Sequence, residues 1–380
     1  MYETRSGYVP SHKTLGPSVY NGTAGIALFL AEASQFLESK DLLATAKGAM
    51  LQAIANRNQI LPENEMSFYT GLVGLLFVAQ YIHALVRDRQ IEQEIEPLIG
   101  TILAKDVSKC ALDQIHGVAS AVPFLIAMDR AGILVGGIHK AISITDYLAT
   151  RLEPAITGHA WKEANSGTPD GIPLSCFSHG TSGLVWPLIE ATAAGVGPGF
   201  EREIQSVFRY EDAFWCEKEG NWYDLRGVTE RSLPSAKYGR FAGHWCHGNV
   251  GIFLVRRRAH ALGLDARHGP SLARMAEGVN RTVGVAIENG ENFSICHGLL
   301  GDIEAVESAG AVERVFALSN DRAENLAWHY GLNGKPAPDL FLGISGIGRA
   351  HLKRLGGVGF SVLLPLPDAV QDTLSALLPA

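Results

Sequence analysis

The chain has 380 residues, 47% of them hydrophobic and 19% charged, and a formal net charge of −7. Such a composition excludes a disordered chain, and charges spread without a basic block give no support to nucleic-acid binding. Met1 to Lys13 carries no cationic-plus-apolar signal segment and no apolar run reaches the roughly 18 residues that span a bilayer, so no transmembrane segment and a cytoplasmic location are expected.

One self-similar unit runs along the chain: Gly-x-x-Gly followed by an apolar run with helical spacing. The first copy, Gly22/Gly25, leads into Ile26-Ala27-Leu28-Phe29-Leu30, and an alanine-rich helical segment follows from Ala44 to Arg57. Gly71/Gly74 leads into Leu75-Leu76-Phe77-Val78, with a further helix predicted between Arg87 and Ile102. The third copy, at Gly117, has Ser120 in place of the second glycine. Gly180/Gly183, Gly248/Gly251, Gly298/Gly301 and Gly343/Gly346 complete seven units. Successive first glycines lie 49, 46, 63, 68, 50 and 45 residues apart, room for two helices of about 15 residues plus turns. The two longest intervals hold Gly158 to Pro173 and Val207 to Tyr238, rich in Gly, Pro and charge, which are predicted as loops over the site or insertions on an outer face. Runs of strict two-residue alternation are scarce, so strands should be few. Arg256-Arg257-Arg258 reads as a solvated helix face.

Glycine at a helix start lets the backbone turn sharply and neighbouring helices approach closely. Seven helix pairs with no polar capping repeat at either end predict closure into a ring, because an open solenoid would leave apolar faces bare. The expected fold is all-α, an α/α toroid formed as one domain over residues 1–380. In such a ring the residues just before each Gly-x-x-Gly share one end. One position before the first glycine stand Asn21, Thr70, His116, His179, His247, His297 and Leu342; two positions before stand Tyr20, Tyr69, Ile115, Ser178, Cys246, Cys296 and Phe341. Reactive side chains therefore gather in the middle and later repeats, around one mouth.

The chain's five cysteines, Cys110, Cys176, Cys216, Cys246 and Cys296, are an odd number in a long sequence and agree with reduced thiols. Cys246, Cys296 and His297 offer two thiolates and one imidazole, a set that suits zinc and leaves the fourth tetrahedral position for water or substrate. His247 stands in the same register as His297, and spacing does not choose between them. His179 lacks the cysteine partner and is a candidate general acid or base. Asp113, four residues before Gly117, could orient a histidine or take a proton.

Together these residues resemble the lanthionine synthetase C-like cyclases. The likeness covers essentially the whole chain: the Gly-x-x-Gly repeats, Trp245-Cys246-His247-Gly248, Cys296-His297-Gly298 and Ser178-His179-Gly180. Gly220-Asn221-Trp222-Tyr223-Asp224-Leu225-Arg226 is similar to a stretch in the cyclase half of class II lanthipeptide synthetases. The resemblance implies an α/α toroid with zinc held by Cys246, Cys296 and His297, His247 being a neighbour and not a ligand. It implies that a cysteine of a dehydrated precursor peptide adds to dehydroalanine or dehydrobutyrine to close a lanthionine or methyllanthionine ring, with His179 and Asp113 handling the proton. The first repeat begins close to the N-terminus, so a separate dehydratase is the implied partner. Some members of the family carry an arginine four residues before the first zinc cysteine; here that residue is Ala242, with Arg240 nearby.

Three other readings fit a toroid. A glycoside hydrolase needs two carboxylates at the mouth, and only Asp113 and Asp339 sit in the loops before the glycines. A peptide-binding adaptor working beside a dehydratase would need no open metal position, and a relative that adds glutathione to dehydrated residues would use the same site.

Overall fold

Every glycine pair opens a helix, and the loop before it explains why. The computed structural model describes residues 14–164, 170–232, 239–266, 268–290, 292–324, 330–331 and 337–377, with the backbone of two strands near the start. Residues 165–169 and 233–238 of the two long intervals lie outside these. In chain order the helices are α1 (Thr23–Phe36) and α2 (Lys40–Ala55), α3 (Leu72–Val86) and α4 (Arg89–Ala104), α5 (Ala121–Arg130) and α6 (Gly137–Thr150), and α7 (Thr181–Ala193) and α8 (Glu201–Asp212). They continue as α9 (Asn249–Ala261) and α10 (Leu272–Asn289), α11 (Leu299–Asp302) and α12 (Ala309–Glu324), and α13 (Ile344–Arg354) and α14 (Pro367–Ser375). Strands are confined to three two-stranded antiparallel ribbons among the described residues: β1 (Tyr2–Thr4) with β2 (Gly7–Val9), β3 (Glu153–Pro154) with β4 (His159–Ala160), and β5 (Trp215–Cys216) with β6 (Asn221–Trp222). The last two lie in the long intervals. Among the described residues no helix is long and apolar enough to cross a membrane.

The odd-numbered helices form the inner ring. The first helical N–H of each donates to the carbonyl seven residues back: Thr23 to Gly16, Leu72 to Glu65, Val118 to Ala111, Thr181 to Leu174, Asn249 to Ala242, Leu299 to Asn292 and Ile344 to Ala337, at 2.8 to 3.4 Å. A folded-back loop thus caps the helix with backbone, where the outer helices α2, α4 and α10 use the side chains of Ser39, Asp88 and Ser271. Such a loop leaves no room for a Cβ. Built on Gly25, Gly74, Gly183, Gly251, Gly301 or Gly346, it would collide with the carbonyl oxygen six residues earlier. Of the first glycines only Gly248 has a left-handed φ, at 122°; the others are extended, so close approach and not backbone strain selects glycine there. Where Ser120 replaces glycine, the helix opens with a 3₁₀ turn, and the serine Oγ accepts the Phe68 N–H of the preceding repeat (2.9 Å).

The loops are stitched into a ring. The N–H of Tyr20 donates to the carbonyl of Tyr69 (2.8 Å), Gln114 to Ser178 (3.2 Å), Ser178 to Cys246 (3.1 Å), Cys246 to Cys296 (3.3 Å), Cys296 to Phe341 (3.1 Å), and Phe341 back to Tyr20 (3.1 Å). Between the second and third repeats the hydroxyls of Ser67 (2.6 Å) and Thr70 (2.8 Å) donate to the carbonyl of Ile115 instead. Behind the closing bond α13 packs on α1, and Arg349 makes a buried two-pronged pair with Glu32, 2.8 Å on each arm. The toroid is therefore closed.

The last segment fills the interior. Phe360 meets Phe77 and Phe124, while the carbonyls of the buried Val362 and Leu363 accept from Tyr69 Oη (2.9 Å) and Trp245 Nε1 (2.8 Å), residues of the second and fifth repeats. From there α14 packs against α5. The arginine run is not a solvated face. Arg256 is buried and pairs with Glu211 and Asp212, Arg258 pairs with buried Glu190, and Arg257 donates to the carbonyl of Glu304. Inner helices are surrounded on all sides, so their cations must find partners, and these three tie α9 to its neighbours.

Gly183→Ala should lower the unfolding free energy read from urea denaturation by about 1–3 kcal/mol, because the Phe177 carbonyl must move. Gly284→Ala, on α10 with open space around its Cα, should raise it by roughly 0.5–1 kcal/mol.

Candidate metal and proton-transfer site

The hydrogen-bonded ring decides which side chains meet. Because Cys246 donates through its backbone to Cys296, the two cysteines lie in adjacent loops at the same height, and the ligating atoms of Cys246, Cys296 and His297 fall within 4.8 Å of one another. Cys296 is buried; Cys246 and His297 are half-buried. Contact with the Cys296 thiol, then burial, pushes the Cys246 thiol well above its ordinary value, against the pull of His247. Burial and the nearby His244 lower His297, favouring the neutral ring that a metal ligand requires. His244 Nδ1 in turn meets Asp302 Oδ2 at 2.9 Å.

Two crowded thiols and a neutral imidazole are an unfavourable group alone and a suitable one around a soft dication, whose charge reverses the cost of ionising sulfur. The donor set therefore fits zinc. His247 borders this set without joining it: it touches the Cys246 thiol from the side, its ring lies 5.9 Å from that of His179, and it lines a small pocket with Cys176, Trp222 and Asp224.

A second group occupies the preceding loops. Asp113 Oδ1 accepts the backbone N–H of His116 at 2.6 Å, the same loop-closing bond that Ser18, Ser67 and Asp339 make to Asn21, Thr70 and Leu342 in their repeats. Its other oxygen does something more, meeting His179 Nδ1 at 3.0 Å. Burial would raise the Asp113 carboxyl, but the hydrogen bonds from His116 and His179 outweigh it and hold the group well below the usual carboxylate range. The same contact raises His116. The rings of His116 and His179 stack at 5.5 Å, so the histidines before the glycines of the third, fourth and fifth repeats follow one another along the rim.

Sequence reasoning gave no role to three residues here. His116 and Tyr20 stood in the aligned positions before the glycines, and the register itself was the available signal. Tyr20 Oη lies 2.9 Å from Cys296 Sγ. The third is Arg226, of the Gly220 to Arg226 stretch. That stretch pairs with the chain before Cys246 through Tyr223 and Phe241, and Asp224 clamps the guanidinium (Nη2 to Oδ2, 2.6 Å) so that its charge reaches Cys176 and Cys246. Arg240 is exposed, and its carbonyl accepts from the Asp224 N–H. Asp339, the second carboxylate a hydrolase would need, is buried with Oδ1 spent on its own loop.

The model of a family described as "Lanthionine synthetase C-like protein" matches residues 13–357. No curated protein matches significantly by sequence. Among solved structures the chain is similar to one described as "Nisin cyclase", at 16% identity and a TM-score of 0.65, over 97% of this chain and 94% of that one.

The pKa directions set a pH test. A raised His116 contributes stability that is full below its unfolded value near 6.5 and is lost as pH rises through the folded value. Asp113, held low, contributes stability above the usual carboxylate range that is lost only at strongly acid pH. A histidine titration by NMR should place His116 above 6.5 in the wild type and bring it down in Asp113→Asn, and the stability gap between the two proteins should narrow as pH rises through the wild-type midpoint.

Proposed function

Because the chain belongs to the lanthionine synthetase C-like family, we propose that it is a lanthipeptide cyclase, joining a cysteine of a dehydrated peptide to a dehydroalanine or dehydrobutyrine through a thioether. What supports the reading is one juxtaposition: a two-thiol, one-imidazole donor set and a His–Asp couple in consecutive loops of one rim. Zinc bound by Cys246, Cys296 and His297 would supply a Lewis acid with an open position, where a thiol ionises near neutral pH.

The rest falls to the chain's own side chains. Addition forms a C–S bond at the β-carbon and breaks the π bond of the dehydro residue; the electron pair passes to the adjacent carbonyl, and a proton then returns to Cα. The thiol proton is thereby transferred to carbon, with nothing oxidised or reduced. His179 delivers it. With Nδ1 held by Asp113 at 3.0 Å, Nε2 is the nitrogen that exchanges the proton, and the fixed ring sets the face of the enolate that receives it. The loops hold both peptide ends over one mouth, which supplies proximity. Dehydro residues arise by loss of water from serine or threonine, a reaction that must precede this one.

Metal content and cyclisation test this together. The purified protein should hold about one zinc per chain, lost in Cys296→Ala while the helical signal persists. With a cysteine-containing dehydrated peptide, the wild type should remove the alkylatable thiol without changing peptide mass, and His179→Ala should slow this about 10²–10⁴-fold. Unchanged rate and stereochemistry in His179→Ala would remove the histidine from the mechanism. A zinc-loaded protein that binds the peptide without closing rings would be an adaptor, and one that attaches glutathione in preference would be a free-thiol enzyme.

A further inference from the structure

Tyr20 lies outside the chemistry described so far, yet its hydroxyl reaches the sulfur of Cys296 at 2.9 Å. Three repeats meet at this contact. Tyr20, Phe341 and Cys296 hold the same register position in the first, seventh and sixth repeats, and the backbone bonds Cys296 to Phe341 and Phe341 to Tyr20 fix their order. The Tyr20 ring lies flat on Phe341, 4.7 Å between centroids and 15° between planes, so the phenol passes over the seventh repeat to touch the sixth. This reach is not imposed by the register. Tyr69, in the same position of the second repeat, turns its hydroxyl to the carbonyl of Val362 (2.9 Å). A tyrosine keeps its proton at neutral pH and a ligating thiolate can only accept, so with metal bound Tyr20 Oη–H is the donor and Cys296 Sγ the acceptor.

We propose that Tyr20 is a positioning residue for the metal: its hydroxyl aims Cys296 Sγ toward Cys246 and His297 and stabilises the thiolate, so that the first repeat sets how tightly zinc is held. The inference rests on the zinc site proposed above. Hydrogen bonds from outer residues to metal ligands are typically worth 10–100-fold in affinity, through ligand orientation and the charge left on the donor atom.

Tyr20→Phe removes the hydroxyl and keeps the ring on Phe341; Tyr69→Phe is the control, losing a buried tyrosine hydroxyl that touches no ligand. Zinc dissociation constants would be measured by chelator competition at one pH, and the cobalt-loaded proteins examined for their sulfur-to-metal charge-transfer band. Tyr20→Phe should bind zinc about tenfold or more weakly, with the band moved to lower energy because the sulfur is more electron-rich. Tyr69→Phe should lose thermal stability and keep wild-type affinity and spectrum. Wild-type affinity and an unmoved band in Tyr20→Phe would overturn this inference and leave the zinc site standing. Equal weakening in both variants would also overturn it, reducing Tyr20 to a general packing residue. A wild type that takes up neither metal would overturn the zinc site and this inference together.

Discussion

The structure depends on a loop that caps a helix with its own backbone. Each inner helix begins where an N–H bonds the carbonyl seven residues back, and in six repeats that geometry leaves no room for a Cβ where the helix doubles against the loop, the third seating Ser120 there by opening with a 3₁₀ turn. Seven copies present seven equivalent residues at one height, and the bonds running from loop to loop turn equivalence into adjacency. A side chain placed two residues before the glycine in one repeat is thereby beside its counterpart in the next.

Chemistry can be distributed on such a frame by single substitutions. Serine, cysteine, cysteine, phenylalanine and tyrosine follow one another around the later half of the ring and across its seam, and the histidines one residue on line the same rim. Asp113 shows how little is added to make a functional pair. One carboxylate oxygen performs the loop-closing task that serine performs in the first two repeats, and the second is left to meet His179. Below the rim Trp245, Tyr69 and Phe341 pack edge to face and tilted against one another, and the chain from Phe360 to Leu363 closes the interior beneath them. This apolar floor removes solvent from one side of the thiols, which is why burial is among the causes that raise Cys246.

Repeat number, the start of every inner helix and closure were legible in the glycine spacing, because the steric demand that selects glycine is local. The Arg256 run was misread because charge density along a helix does not reveal whether that helix is inside the ring. The path of the last segment was also hidden: Phe360 to Leu366 is an apolar stretch like many others, and only the space left between inner helices directs it inward.

By itself the sequence determined the period, the register and which residue types stand in it, since these follow from a loop whose closure involves neighbours within seven residues. Tertiary structure alone decided partnership. That His297 brings a ring nitrogen within 4.8 Å of both sulfurs, that His116 shares Asp113, and that Tyr20 reaches Cys296 across 276 positions of chain all depend on how the ring curves. Curvature is set by the packing of all seven inner helices at once, and no single repeat contains it.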